Sequence, residues 1–485
     1  MKSNVDSKST LFNGVTWASV CILFLPISIK LAFPSISAVI IYPAELIIGA
    51  TVILFFLDFI FHKGRLAPED RPFYKHPLSL LVLLYLGATL FSAFKSTMPI
   101  VSLKAVIVQL SYVIVFYFVV GVLVKRSSVS YLKMFGVYAI SLSMVIGYTL
   151  FNHSQQGLQS YASGYMSSPF YNDHTIYGAA IAFLLPSFLA MTLKPRLFKI
   201  NIGFLMPVIG MLIVLIAGLY FSFSRAAWVS VLSGLSFFLF LKIGFRFYAF
   251  AFIIVLGIAL GLFNKDSLVN SFQKNRISSD TDSAGVYDQF ASLTNITNDV
   301  SNAERLNRWS CAARMSFDRP WFGYGPGTYQ FQYLSYQRPE EMTSISVRIP
   351  VQQGSTIYSW LPIKGYSAPS GEAILQGDRG TAHSEYFLAL SETGYVTTLL
   401  FLSVLVFSFY RGIKFYSSSI DSKRKTIVVI AMLGLVTYFT HGLFNNFLDD
   451  CKMAFLFWSS LSCIAAIDSD QAVSQKETFS DSIAG

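Results

Sequence analysis

The sequence predicts an all-α polytopic membrane protein of about twelve transmembrane helices with one large, mainly helical extracytoplasmic loop. Three observations predict this. Of 485 residues, 54% are hydrophobic and 13% are charged, against roughly 25% charged in a soluble protein. Apolar runs of spanning length recur along the chain, and the mean hydropathy is +0.54. Basic residues cluster at alternate exits from those runs, as they do where short loops face the cytoplasm.

The runs fall at 11–31, 37–61, 77–94, 105–124, 131–151, 175–193, 202–222, 226–242, 247–263, 386–410, 427–443 and 453–468. Lys63, Arg65, Arg71 and Lys75 follow the second run, and Lys125, Arg126 and Lys133 the fourth. Lys194, Arg196 and Lys199 follow the sixth, Lys242 and Arg246 the eighth, and Arg411, Lys414, Lys423, Arg424 and Lys425 the tenth. These exits are assigned to the cytoplasm, against the single contrary signal of Lys95 and Lys104 after the third run. The stretch Asn152 to His174 holds no Lys or Arg and is assigned to the outer face. Both termini are then cytoplasmic. The polar start, Met1 to Thr10, argues against a cleavable leader.

Four segments follow: helices over 1–263, a periplasmic loop over 264–384, helices over 385–468, and a polar tail over 469–485 that is expected to be disordered. The net charge of +10 comes mostly from the short basic loops, so it does not point to nucleic acid. The large loop holds eleven basic and eleven acidic residues, which excludes a polybasic lipid-binding arm. Cys21, Cys311, Cys451 and Cys463 have no metal-ligand spacing; no disulfide framework is expected, with Cys311–Cys451 left open. Asp280-Thr281-Asp282 could hold a metal–nucleotide complex or be a solvated serine-rich loop. No phosphate-binding lysine loop, nucleophile elbow or zinc-protease motif is present in the sequence.

Chemistry-bearing residues collect on the outer side. Arg225, in S-F-S-R-A-A-W, stands where the seventh run meets the eighth; it is a functional arginine or one that snorkels to the interface. Arg305 and Arg308 lie at helical spacing beside Trp309, in a short helix expected to end near Phe317. Gly323-Tyr324-Gly325-Pro326-Gly327 permits a tight turn near a substrate or an ordinary loop. His383 precedes the tenth run, as a proton acceptor, a donor to an anionic oxygen, or a helix cap. Glu392, two turns into that run, should face protein rather than lipid. Asn445, Asn446, Asp449 and Lys452 in the last outer loop could line a sugar site or pair with one another.

Several of these pieces resemble the superfamily of O-antigen ligases and Wzy-type polymerases. They are Ser224-Arg225, R-x-x-x-W from Arg305 to Trp309, P-x-x-G-x-G from Pro320 to Gly325, H-S-x-Y from His383 to Tyr386, and E-x-G from Glu392 to Gly394. The resemblance covers roughly 205–460, and the longer form S-N-A-E-R-L-N-R-W resembles a branch found in Bacteroidetes-type bacteria.

The resemblance implies a GT-C-like, metal-independent and inverting glycosyltransferase without a cofactor, in the bacterial inner membrane. The donor would be a glycan on undecaprenyl diphosphate and the acceptor lipid A–core of lipopolysaccharide. A second lipid-linked repeat (polymerase) or a protein hydroxyl (O-oligosaccharyltransferase) is the alternative, and a multi-helix transporter or flippase is the alternative from another class. Arg225 and Arg305 would hold the diphosphate, with Arg308 behind them, because guanidinium forks bind such oxygens in pairs. His383 would be general base or diphosphate binder. Arg308, Trp309, Gly325, Tyr386, Glu392, Asn446 and Asp449 are the expected substrate-binding positions.

Overall fold

The structure, a computed structural model, describes residues 20–33, 38–61, 67–244, 300–338, 341, 347–348, 374–375 and 380–484. In chain order its main helices are α1 (Ala44–Phe61), α2 (Pro77–Phe94), α3 (Pro99–Arg126), α4 (Val129–Gln155), α5 (His174–Leu193), α6 (Ile202–Tyr220), α7 (Arg225–Ile243), α8 (Val300–Asp318), α9 (Glu385–Ser418), α10 (Ser422–His441) and α11 (Cys451–Ala484). Nine of these, all but α8 and α10, are long and apolar enough to cross a membrane. The charged first turn of α10, Lys423 to Lys425, lowers its apolarity, yet most of that helix is buried. The expected ninth run, 247–263, and Asp280 to Asp282 lie outside the described residues.

Side chains with oxygen acceptors start several helices. Asp173, Asn201, Ser224 and Asp421 each accept a backbone N–H from the first turn of α5, α6, α7 and α10, which satisfies donors that a helix start leaves open. α11 is the axis of the bundle: its residues 451–469 are buried all round, as a helix without a polar face requires. Trp458 on α11 packs against Tyr85 of α2 and Tyr117 of α3. By contrast α1 and α6 leave most of their apolar side chains exposed or half-buried, the surface a bilayer would cover.

Two expectations are corrected. The first run does not remain helical to residue 31: Ile29–Phe33 (β1) pairs antiparallel with Ala38–Tyr42 (β2). Ser28 helps end the preceding helix, donating to Phe24 O at 2.7 Å and accepting from Ala44 N at 3.1 Å. Pro43 restricts Tyr42 to extended backbone, and an isoleucine-rich stretch suits a strand as well as a helix. The tail is also not irregular: α11 continues to Ala484, since extending an existing helix avoids the cost of nucleation. A further pair of short strands joins Val347–Arg348 to Ile374–Leu375.

The bundle has two chemically distinct ends, about 25 Å apart along α11 from Cys451 to Asp468 at roughly 1.5 Å per residue. At the basic end Asp468 accepts from His76 Nε2 at 2.9 Å and Arg411 Nε at 2.5 Å. Asp470 lies 3.8 Å from Lys125 and 3.5 Å from Arg424, and Arg126 pairs with Asp70 at 3.2 Å. The basic exits of the second, fourth and tenth runs thus share one end. The starts of α5, α7, α9 and α11 and the end of α10 form the other, the histidine end.

Candidate active site

The histidine end is assembled around 380–385, between α8 and α9. Arg308 of α8, buried, donates from Nε to Glu304 at 2.8 Å and from Nη1 to Thr381 O at 3.0 Å, and its guanidinium lies 5.3 Å from the Tyr333 ring centre. Burial would lower its pKa, but Glu304, Tyr333 and Tyr329 more than reverse this and keep it charged. A Cβ on Gly380 would collide with that guanidinium. Trp309 donates from Nε1 to His383 O at 3.3 Å and stacks on Phe387 with centroids 5.3 Å apart. His383 itself has φ +49°, a left-handed backbone uncommon outside glycine that the surrounding contacts must enforce.

Glu385 fastens the far side. Its Oε1 accepts from Tyr438 Oη at 2.6 Å, Phe447 N at 2.7 Å and Leu448 N at 2.9 Å. Glu385 N and Ser384 Oγ both donate to Gly442 O, at 2.9 and 3.3 Å. The carboxylate therefore ties the end of α10 and the loop before α11 to the first turn of α9.

Charge converges on this frame from four segments. Asp173 and His174 begin α5, Arg225 begins α7, Arg305 lies on α8 and His441 ends α10. Arg305, whose Nη1 donates to Asn302 at 3.0 Å, acts electrostatically on His174, His383 and His441. Arg225 acts on His174, and Asp173 on all three histidines. For His383, burial and then the Arg308 and Arg305 charges push the imidazole down to about 3, against the opposing pull of Asp173. The ring is neutral at pH 7 and holds a free lone pair.

The structure thus brings Arg225, Arg305, Arg308, Trp309 and His383 to one end. Gly325 and Glu392 have other surroundings, whereas Tyr386, Asn446 and Asp449 lie in the first turn of α9 and the loop between α10 and α11, at the same end. α9 is broken at Gly394, with φ 73° and ψ −177°, and the 320–329 loop fills the break. Tyr395 N donates to Pro320 O at 2.7 Å, Tyr324 N to Ser391 O at 3.1 Å and Gly325 N to Glu392 O at 2.7 Å. Glu392 accepts from Gly327 N at 2.8 Å and Tyr329 N at 2.9 Å, one on each carboxylate oxygen. Gly325, with φ +113°, sits so close to Ser96 and Ser102 that a side chain would collide. Ser92 Oγ donates to Phe322 O at 2.6 Å and Thr97 N to Tyr324 O at 3.0 Å, so the α2–α3 corner grips the same loop. Tyr386 donates to Phe439 O at 2.9 Å, joining α9 to α10. Asn446 is buried, whereas Asp449 is exposed. Lys452 bonds to Ser28 O at 2.9 Å and to Phe170 O, and stands 4.2 Å from the Tyr171 ring centre. All four cysteines are free thiols.

Asp173, His174, Glu304, Glu385 and His441 were not distinguished by sequence. The available signal was Asp173-His174 closing an outer stretch without Lys or Arg, directly before an apolar run.

A helical bundle of membrane length, with arginines and histidines converging at the helix ends on one side, defines the class of a multi-pass membrane protein with a polar site at one end of its bundle. Residues 210–347, which run from α6 through α8 and the 320–329 loop, match the family model described as O-antigen ligase. This match supports assignment to the superfamily of O-antigen ligases and Wzy-type polymerases. No curated protein matches it.

Proposed function

We propose that the protein transfers a glycan from undecaprenyl diphosphate to lipid A–core at the outer face of the bacterial inner membrane, in a GT-C-like, metal-independent and inverting reaction. The family match supports the general class. The observation that carries the reading is the convergence of Arg225 and Arg305 on His174, with Arg305 also acting on His383. The lipid of the donor stays in the bilayer, so the anomeric carbon is fixed close to the ends of the helices. Arg225 and Arg305 bind the diphosphate with charge-assisted hydrogen bonds.

The acceptor hydroxyl attacks the anomeric carbon from the opposite side. A new C–O bond forms, the bond to the diphosphate oxygen breaks, and its electron pair leaves with the diphosphate. His383 takes the hydroxyl proton. Burial and, after it, the Arg308 and Arg305 charges suppress its basicity. The negative diphosphate offsets those charges, so the base strengthens when the donor docks.

The test is complementation of a deletion strain, followed by profiling of its glycans. Wild type should restore glycan on lipid A–core, and His383→Ala or Arg225→Ala, expressed at normal levels, should not. Long chains stranded on the carrier in the deletion strain identify a ligase; single repeats attached to the acceptor identify a polymerase instead. A loss of protein-linked glycan would point to a protein acceptor. Full attachment with both variants would remove the assignment.

A further inference from the structure

The last loop and the start of α5 hold polar atoms that the transfer chemistry above does not use. His441 is 1% exposed and Asn446 8%. Among the described residues, His441 Nε2, Asn446 Oδ1 and His174 Nδ1 are buried without a hydrogen-bond partner. Buried polar atoms are rarely left so, and each exception needs a reason. His441 is held firmly on its other side: its ring centre lies 5.4 Å from that of Phe447, and Asn445 Nδ2 is 3.4 Å from its Nδ1. An amide nitrogen only donates, so Nδ1 accepts and the ring proton sits on Nε2.

The orphaned atoms therefore include a donor, His441 Nε2–H, and an acceptor, Asn446 Oδ1. A diphosphate presents acceptors and could satisfy only the first. A hydroxyl both donates and accepts, so a polyol matches both. Asp173, Arg305 and His174 are the charged or titratable groups that act on His441, which sets it near Arg305.

We propose that His441 and Asn446, together with His174, form a subsite for uncharged sugar hydroxyls next to the arginines. The inference rests on the glycan-transfer reading and adds to it the group that recognises sugar rather than diphosphate. The hydroxyls belong to the acceptor glycan or to the first sugar of the donor, and the two sources separate kinetically.

The experiment uses the full-length protein in liposomes, with donor and acceptor extracted from membranes of the deletion strain. Initial rates are measured against each substrate, and binding of undecaprenyl diphosphate alone is followed by native mass spectrometry. His441→Phe and Asn446→Leu should raise one KM about tenfold or more and change kcat less, because a site built for a hydroxyl loses discrimination with its partner. Binding of undecaprenyl diphosphate should stay close to wild type. A raised acceptor KM assigns the hydroxyls to the acceptor; a raised donor KM assigns them to the donor sugar. His441→Gln, which keeps a donor, should recover part of the loss, and Asn446→Leu carries the test if His441→Phe does not fold. Wild-type KM values for both substrates in folded variants would overturn the subsite and leave the transfer reading intact. Wild-type protein that transfers no glycan would overturn both.

Discussion

The indole nitrogen of Trp309 donates to the backbone carbonyl of His383 at 3.3 Å while its ring stacks on Phe387. One side chain of α8 thereby fixes both the left-handed residue ahead of α9 and the first turn of α9. The direction of the His383 imidazole depends on this contact rather than on either helix alone.

Trp309→Phe should keep most of the stack and lose the hydrogen bond. Such a bond contributes on the order of 1 kcal/mol, so transfer should fall up to about tenfold with little change in thermal stability. Trp309→Ala should lose far more of both. Equal activity of Trp309→Phe and wild type in a reconstituted assay would deny the tie any part in catalysis.

Glu385 accepts three hydrogen bonds in a buried setting. Removing the carboxylate strands two backbone N–H groups and a tyrosine hydroxyl, at about 1–3 kcal/mol each. Glu385→Ala should lower the unfolding midpoint in detergent sharply, and Glu385→Gln, which keeps an accepting oxygen, much less. Thermal unfolding of the two variants side by side decides this; similar midpoints would contradict it.

Gly394 has a backbone conformation essentially reserved for glycine, and a Cβ there would stand 2.5 Å from the Trp321 carbonyl carbon and oxygen. Gly394→Ala should cost several kcal/mol by strain and overlap together. Gly147, inside α4, has nothing within 4 Å of such a Cβ, so Gly147→Ala should be neutral or stabilising by about 0.5–1 kcal/mol. Yield and melting temperature of the matched pair measure the contrast.

The pH response of His383 has a definite sign. Its folded value of about 3 lies below the ordinary 6.5. Between them the unfolded chain binds a proton that the folded residue refuses, so its contribution to stability is complete above about 6.5 and is lost as pH falls toward 3. The loss of melting temperature from pH 7 to 5 should be shallower in His383→Gln. If donor binding restores basicity, the acid limb of kcat should lie at higher pH than that of kcat/KM for the donor; coincident limbs would refute the coupling.

Much of the helical frame was legible in the sequence, because a membrane span is defined by its own length and apolarity and needs no partner. The Glu304–Arg308 pair is local too, at i and i+4 on one helix face, yet the sequence did not distinguish Glu304 from the other acidic residues of the insert. The β1–β2 ribbon was not legible, since a short apolar run fits either a strand or a helix until its neighbours choose. Gly394 reads as a tolerable helix glycine, and only the inserted 320–329 loop reveals a break whose freed backbone groups another segment satisfies.

By itself the sequence determined how many kinds of surface this chain has: apolar lengths suited to lipid, one basic set of exits, and a polar insert carrying Arg305, Trp309 and His383. Only the tertiary structure decided that Asp173, His174 and His441 join them and Arg225, and that Glu392 and Gly325 brace a broken helix. The physical reason is that hydropathy and periodicity are properties of contiguous residues. A site built from the ends of separate helices depends instead on how those helices pack.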